Sequence, residues 1–489
     1  MVQHADRRAA GATAALMFGA NFLVNLAVSI VAPMLPAHLA QRQLLPSGHG
    51  GLVQGLLFSS SSITQLGVMP LGPKLAGRIG RSRMCGIGIV IFSLGMAGFG
   101  AADWLLAFVF GERELLESSH PRIELALLFL FRALSACGGT LACLSSMSLA
   151  LQANPENRGV LMGASETAIG IGFSVGPSIG AAFFTAGGFA APFVAAACIA
   201  LGLFPLLLVA ARATAKCAVK VENELKEGAV HTRNGRDTRT PGLSPWWSLS
   251  ALAIAANAFL SMVGLGFLDP TLAPFESHVL GASTVGVGVL FSAASFPYAL
   301  IGTVVGAIVD AAPNFAAPLV CFGVTFLGLS LGSLAPLVPF MATWAWQLSM
   351  LLIMGVVSAC GMVPAVPMIS AILEREAKSR GCPAMDEDSV LAFTYMAFTA
   401  GEMVGPLFGS WAVGAYGFAA TVHGLGGAML AVSVGTGAIL IAKGQWCPRG
   451  VASAENVEPL LKAEMEDLPL ATPRRGVTML GPRAMSFEL

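Results

Sequence analysis

An all-α membrane protein, with twelve spanning helices in two six-helix halves, is the architecture this sequence predicts, and three observations predict it. The first is composition. Of 489 residues, 55% are hydrophobic and 11% charged, at a mean hydropathy of +0.75. A soluble domain carries about a quarter charged residues, so this chain cannot cover a water-facing surface and must be solvated largely by lipid. A soluble multidomain enzyme is excluded. The second is segmentation into runs of the length a bilayer requires, about 20 apolar residues. The third is an internal repeat that relates the first six runs to the last six.

The runs lie at 12–38, 51–73, 84–110, 123–152, 159–186, 189–211, 246–274, 284–309, 315–338, 342–373, 389–415 and 418–442. Helices are the expected spanning element, because lipid offers backbone groups no partners. The first run follows a polar stretch, 1–11, and is too long for a cleaved signal peptide, so it is expected to remain as an anchor. Between runs six and seven, 213–245 is polar and irregular and reads as a cytosolic linker. It separates a six-helix half at 12–212 from a second at 246–442. The tail, 443–489, reads as cytosolic and disordered; Glu458, Pro459, Leu460 and Leu461 within it resemble a sorting signal.

Basic residues set the expected orientation. With the N-terminus in the cytosol, 23 of 27 fall inside, against Arg42, Arg113 and Arg122 outside and Arg132 within a span. The equal numbers of acidic and basic residues give no reason to expect a nucleic-acid partner. Six cysteines lie within apolar runs and Cys217, Cys382 and Cys447 in segments placed inside, so no disulfide framework is implied.

The repeat is legible at two places. Ser135-Ala-Cys-Gly138 in run four recurs as Ser358-Ala-Cys-Gly361 in run ten. Run five carries Gly172, Gly176, Pro177 and Gly180, and run eleven carries Gly401, Gly405, Pro406 and Gly409 in the same GxxxGPxxG spacing. Glycines four apart admit close helix contact, and proline permits a bend. Parallel repeats of this size are a transporter architecture, with substrate held between the halves near the bilayer midplane.

Acids inside a membrane mark functional candidates. Three stand out: Glu166 in run five, Asp269 towards the outer end of run seven, and Glu402 in run eleven. A carboxylate that alternately takes a proton or a cation is what an exchanger needs. The alternatives are a protonated acid bonded between helices for Glu166 and satisfaction of backbone groups freed by Pro270 for Asp269. Glu402 is expected to face the cavity or the region of Arg132. Asn21 and Asn25, one turn apart, share a face and suit either substrate binding or helix contact. Asp103 and Glu124, at span ends, are expected to be solvated. His38, His278 and His423, near the outer face, read as surface histidines or as sensors of acidity outside.

These motifs resemble the major facilitator superfamily. GxxxGPxxG in run five is similar to its antiporter signature. The 73–83 stretch resembles its loop between spans two and three, keeping Arg78, Gly80 and Arg81 but with Gly77 where the acid stands; the second copy keeps Gly306 and Asp310 without the arginine. Arg132 resembles the fourth-span arginine that many antiporters link to proton coupling; a buried structural arginine is the other reading. Gly163 to Gly170, Gly266 to Leu272, Gly306 to Pro313 and Met362 to Pro367 resemble the vesicular amine transporters, their polyamine branch above all. Where the monoamine branch has an aspartate in the first span, alignment on Pro33 and Pro36 places Val24 here, beside a retained Asn25.

The resemblance implies a proton-coupled antiporter of an amine or polyamine-like cation, working by alternating access in a vesicle or vacuole membrane. Glu166 would meet the ammonium groups, and the run-five and run-eleven glycines would form the moving contact. Cationic substrate, protons and lipid are the expected partners, a monomer the expected state, and no metal or other cofactor is expected. A multidrug or metabolite exporter shares these features, and degraded loop motifs also suit a transport-inactive receptor or scaffold. No convergent catalytic constellation points to an enzyme.

Overall fold

A computed structural model of the chain describes residues 2–46, 50–110, 121–154, 158–210, 248–382 and 387–446. The 213–245 linker and the Glu458–Leu461 stretch lie outside these residues, as does the tail from 447. Every predicted run is helical. In chain order the helices are α1 (Val2–Gln41), α2 (Gly50–Val68), α3 (Gly72–Ile79), α4 (Arg81–Gly100), α5 (Ala102–Phe110), α6 (Pro121–Ala153), α7 (Arg158–Gly187) and α8 (Ala190–Leu201). There follow α9 (Leu249–Val279), α10 (Thr284–Ala311), α11 (Ala316–Gly332), α12 (Trp344–Met362), α13 (Ala365–Arg380), α14 (Glu387–Tyr416) and α15 (Phe418–Ala442).

Among the described residues ten helical segments are long and apolar enough to cross a membrane. The other two spanning positions are α2 and α14, which carry the polar run Ser59–Ser62 and the acid Glu402 respectively. Both pack between helices of the two halves rather than only against lipid. Three predicted runs are interrupted. Run two ends at Val68, with α3 a separate short helix; run three breaks at Ala101; run ten breaks at Val363–Pro364, where proline cannot continue the ladder.

Helix partners repeat between halves. Within the first, α1 packs on α7, α4 on α6 and on α8; within the second, α9 packs on α14, α11 on α12 and on α15. Between halves the main contacts are α7 with α10 and α2 with α14, which the same two-fold relation exchanges. The helices alternate in direction. The end holding Val2, Ala153, Leu249 and Ala442 is called the near end below, and the end holding Gln41, Gly50, Gly187 and Val279 the far end.

The repeated glycines explain the packing within halves. A Cβ on Gly172 would come 2.6 Å from the Phe22 carbonyl, and one on Gly176 would meet Ser29 Oγ, both on α1. On α14, a Cβ at Gly405 would come 2.7 Å from the Val263 carbonyl of α9. These glycines therefore seat each helix on a partner in its own half, which corrects the expectation that they form the moving contact. The contact between halves is made by the carbonyls beside them. Pro177 O faces Gly288 of α10, 2.7 Å from where a Cβ would stand, and Pro406 O faces Gly55 of α2 at 2.6 Å. Both contacts lie in the far half of the bundle, where one apolar core runs through both halves and includes Leu35, Leu39, Leu57, Leu272, Val287 and Leu290.

A second symmetry appears at the far end. Gly188 and Gly417, at φ 72° and 81°, turn the chain into α8 and α15. The next residues, Phe189 and Phe418, stack on α1 and α9: Phe189 on His38 at 3.7 Å and Phe418 on Phe275 at 3.8 Å. His38 is buried, against the expectation of a surface histidine; His278 and His423 are exposed, in keeping with it. Glu124 is buried too, not solvated. Arg42 donates to it from Nε at 3.3 Å and from Nη2 at 3.0 Å, and His38 Nε2 lies 3.8 Å away. A span-end position left Glu124 looking wet, but α1 overhangs it. Asp103 is half-buried and accepts from the Trp104 amide.

Candidate functional site

The intramembrane charges form two stations. At the first, Arg132 of α6 lies in the electrostatic field of Asp269 on α9 and Glu402 on α14, so one cation of the first half faces two acids of the second. Arg132 is 4% exposed, and its Nη2 lies 3.5 Å from Ser61 Oγ on α2. Ser62 of α2 lies beside Glu402. Nearby, Ser59 Oγ donates to the Met403 carbonyl at 2.6 Å. Ser59 and Ser62, three residues apart, thus face α14, while Ser61 faces Arg132 in its own half. Pro270 follows Asp269 within α9, and its carbonyl accepts from Gln54 Nε2 of α2 at 2.8 Å.

At the second station Glu166 of α7 accepts a hydrogen bond from the Tyr395 hydroxyl of α14, across the halves. Tyr298 of α10 interacts electrostatically with both. Glu166 is exposed although helices stand around it. Towards the near end, a Cβ on Gly67 or Gly163 would meet nothing within 4 Å. Gly163, one turn before Glu166 on α7, thus leaves open space on the near-end side of that acid. Tyr395 and Glu402 are seven residues apart on α14, two turns, so the stations are separated by about 10.5 Å along that helix.

The structure sets Arg132, Asp269 and Glu402 within electrostatic range of one another, without a direct ion pair between Arg132 and either acid, and sets Glu166 apart with the tyrosines. Asn21 and Asn25 lie on α1, where their side-chain amides donate back to the Met17 and Asn21 carbonyls at 2.9 and 2.8 Å. Their carbonyl oxygens are left to accept from a neighbour. Gly80 closes the turn between α3 and α4; Arg78 is exposed beside it and Arg81 half-buried, all at the near end. Gly306 and the exposed Asp310 lie at the near end of α10. None of these five is among the groups that interact with the acids. Sequence reasoning missed Tyr298, Tyr395, Ser61 and Ser62. The signal was present: of three tyrosines in the chain, two face Glu166, and four consecutive serines interrupt an apolar run.

A separate cavity of about 390 Å³ opens at the far end, lined by Gln54, Pro270, Phe275, His278, Ser410 and Phe418 among others. It contains none of the acids. Among the described residues, no group of His, Cys, Asp and Glu side chains has the arrangement to hold a metal ion.

Chemically, the first station carries two carboxylates against one guanidinium. Burying an uncompensated charge costs several kcal/mol, so the pair of acids is balanced when one carries a proton or when a cation joins it. Glu166 adds a further acid towards the near end.

The mouse MFS-type transporter SLC18B1 is 26% identical over 421 residues, covering 83% of this chain and 81% of that protein. The human vesicular acetylcholine transporter is 26% identical over 271 residues, 54% of this chain and 44% of its own. A crystal structure of a D-xylose-proton symporter superposes with a TM-score of 0.59 at 16% identity, covering 87% of this chain and 96% of that one, and establishes the shared fold. Residues 17–381 match the Major Facilitator Superfamily. With that match over most of its length and the repeated helix pairing beneath it, the chain belongs to the Major Facilitator Superfamily of membrane transporters.

Proposed function

We propose that this protein is a proton-coupled antiporter of an organic cation, amine or polyamine-like, working by alternating access in the membrane of a vesicle or vacuole with its near end in the cytosol. The observation that carries the reading is the surplus of carboxylates: Asp269 and Glu402 against Arg132, with the exposed Glu166 towards the near end. One proton or one ammonium group neutralises the surplus, and the two exclude each other. That exclusion is the physical content of exchange. In a form open to the cytosol, Glu166 with Tyr395 and Tyr298 receives the cation, and its charge is carried towards Glu402 and Asp269. After the halves rock, protons from an acidic compartment discharge the acids and release the cation there. Similarity to a vesicular acetylcholine transporter, whose named cargo is a cation, supports a cationic cargo. The basic residues at the near end support the orientation.

The test is uptake of labelled spermidine into proteoliposomes with an acidic interior. The expected result is accumulation that an ionophore collapses and that Glu166→Gln lowers at least about tenfold, the loss of one charge-assisted contact worth about 1.5–3 kcal/mol. Absence of gradient-driven uptake for spermidine and for a panel of hydrophobic cations would overturn the reading.

A further inference from the structure

Of the buried acids that the exchange scheme does not use, Glu124 is paired with Arg42 and Glu276 is not paired. Glu276 sits near the far end of α9 and is 0% exposed, and neither of its carboxyl oxygens has a hydrogen-bond partner. It follows Asp269 by seven residues, so the two lie on one helix face about 10.5 Å apart. That face is turned towards the other half, because Asp269 on it interacts with Arg132. Leu272, between them, belongs to the apolar core that closes the far end through both halves. Glu276 is therefore sealed within the closed far end and not at the station where cargo is bound.

Among the described residues, none supplies Glu276 with a counter-charge. On α9 the nearest ionisable groups are Asp269 and the exposed His278. Of the helices packed around the far half of α9, α1 carries His38, with Arg42 just past its end, α14 carries Tyr416 and α15 carries His423; α6, which packs on α1, carries Glu124 and the exposed Arg122. The far-end stretches of α2, α10, α11 and α12 carry none. His38, Arg42 and Glu124 are engaged with one another, and Tyr416 and His423 are exposed. Burial alone governs the electrostatics of Glu276.

We infer that Glu276 is a proton-binding site whose occupancy is required for the far end to close. A carboxylate sealed in apolar surroundings without donor or cation is prohibitive, whereas a neutral carboxyl is tolerated. When the halves part at the far end, the core around Glu276 opens and its carboxyl can lose a proton to water on that side. When they close again, one proton from the same side must first bind a carboxylate oxygen. This proton enters and leaves on one side, so it is not among those exchanged for cargo. It makes acidity at the far side favour the closed form, which resets a carrier that unloads into an acidic compartment. The inference takes from the exchange reading only the rocking of the halves.

The test follows closure directly. Spin labels at the exposed far-end residues Gln43 and Leu337, one in each half, report the distance between the halves by pulsed electron resonance in nanodiscs across a pH series. In the otherwise unaltered protein the closed-to-open ratio is expected to fall up to tenfold per pH unit once the open form ionises, the slope for one linked proton. In Glu276→Gln, which keeps size and neutrality, the ratio is expected to stay on its acid-side value throughout. An infrared band of a protonated carboxyl, present at neutral pH in the closed form and missing in Glu276→Gln, is the second readout. The inference is overturned if the variant keeps the original pH profile, or if no such band is lost. Spermidine uptake measured alongside reports separately on the exchange reading, since a protein inactive towards every cation would still show the closure profile.

Discussion

His38 illustrates what one side chain does that its repeat partner does not. At the matching place in the second half Phe275 makes the same stack with an aromatic residue that follows a positive-φ glycine, so the ring alone serves packing. Only His38 also faces a carboxylate, Glu124, already held by Arg42. His38→Phe is therefore expected to preserve the apparent melting temperature of the purified protein. His38→Ala, which removes a buried ring and its stack, is expected to cost about 2–3 kcal/mol. Thermal unfolding followed by thiol labelling of the buried Cys85 would measure both, and equal loss in the two variants would contradict the packing account.

Among elements, α7 and α14 carry the clearest sequence-to-packing link. Their glycines admit α1 and α9 to backbone contact, and the neighbouring prolines expose a carbonyl to the opposite half. Gly405→Ala would set a Cβ 2.7 Å from the Val263 carbonyl and 2.9 Å from the Phe267 amide nitrogen. Backbone cannot yield there as a side chain would, so the expected cost is about 1–3 kcal/mol. Gly163→Ala, on the same type of helix with nothing within 4 Å, is expected to be neutral or slightly stabilising. Expression and detergent stability of the two variants side by side are the check, and a stable Gly405→Ala protein would show that α9 and α14 are less tightly seated than described.

For the whole molecule, the two far-end contacts between halves act as a pair. Gly55 against Pro406 and Gly288 against Pro177 are related by the two-fold that exchanges the halves, and both let backbones meet. A valine at either place would hold the far end apart, with a longer Gln43–Leu337 distance expected and a closed population reduced severalfold. Gly67→Val, where a Cβ would meet nothing within 4 Å, is the control expected to leave the distance unchanged. An effect of the same size from Gly67→Val would assign the change to general loosening of the bundle.

The helices, their number and the repeat were legible in the amino-acid order, because lipid permits few solutions for a chain this apolar and because glycine and proline kept their register in both halves. The acids Glu166, Asp269 and Glu402 were legible for the same reason: a charge stands out in an apolar run. What the sequence could not supply was partnership, which depends on helices that are distant along the chain. Only the tertiary structure set Arg132 before two acids of the other half, turned Tyr395 onto Glu166, and buried Glu124 beneath the end of α1. It also decided that the repeated glycines hold each half together while the carbonyls beside them meet the other half. Periodicity along one helix tells which residues share a face; which face is covered, and by what, is settled by the helices packed against it.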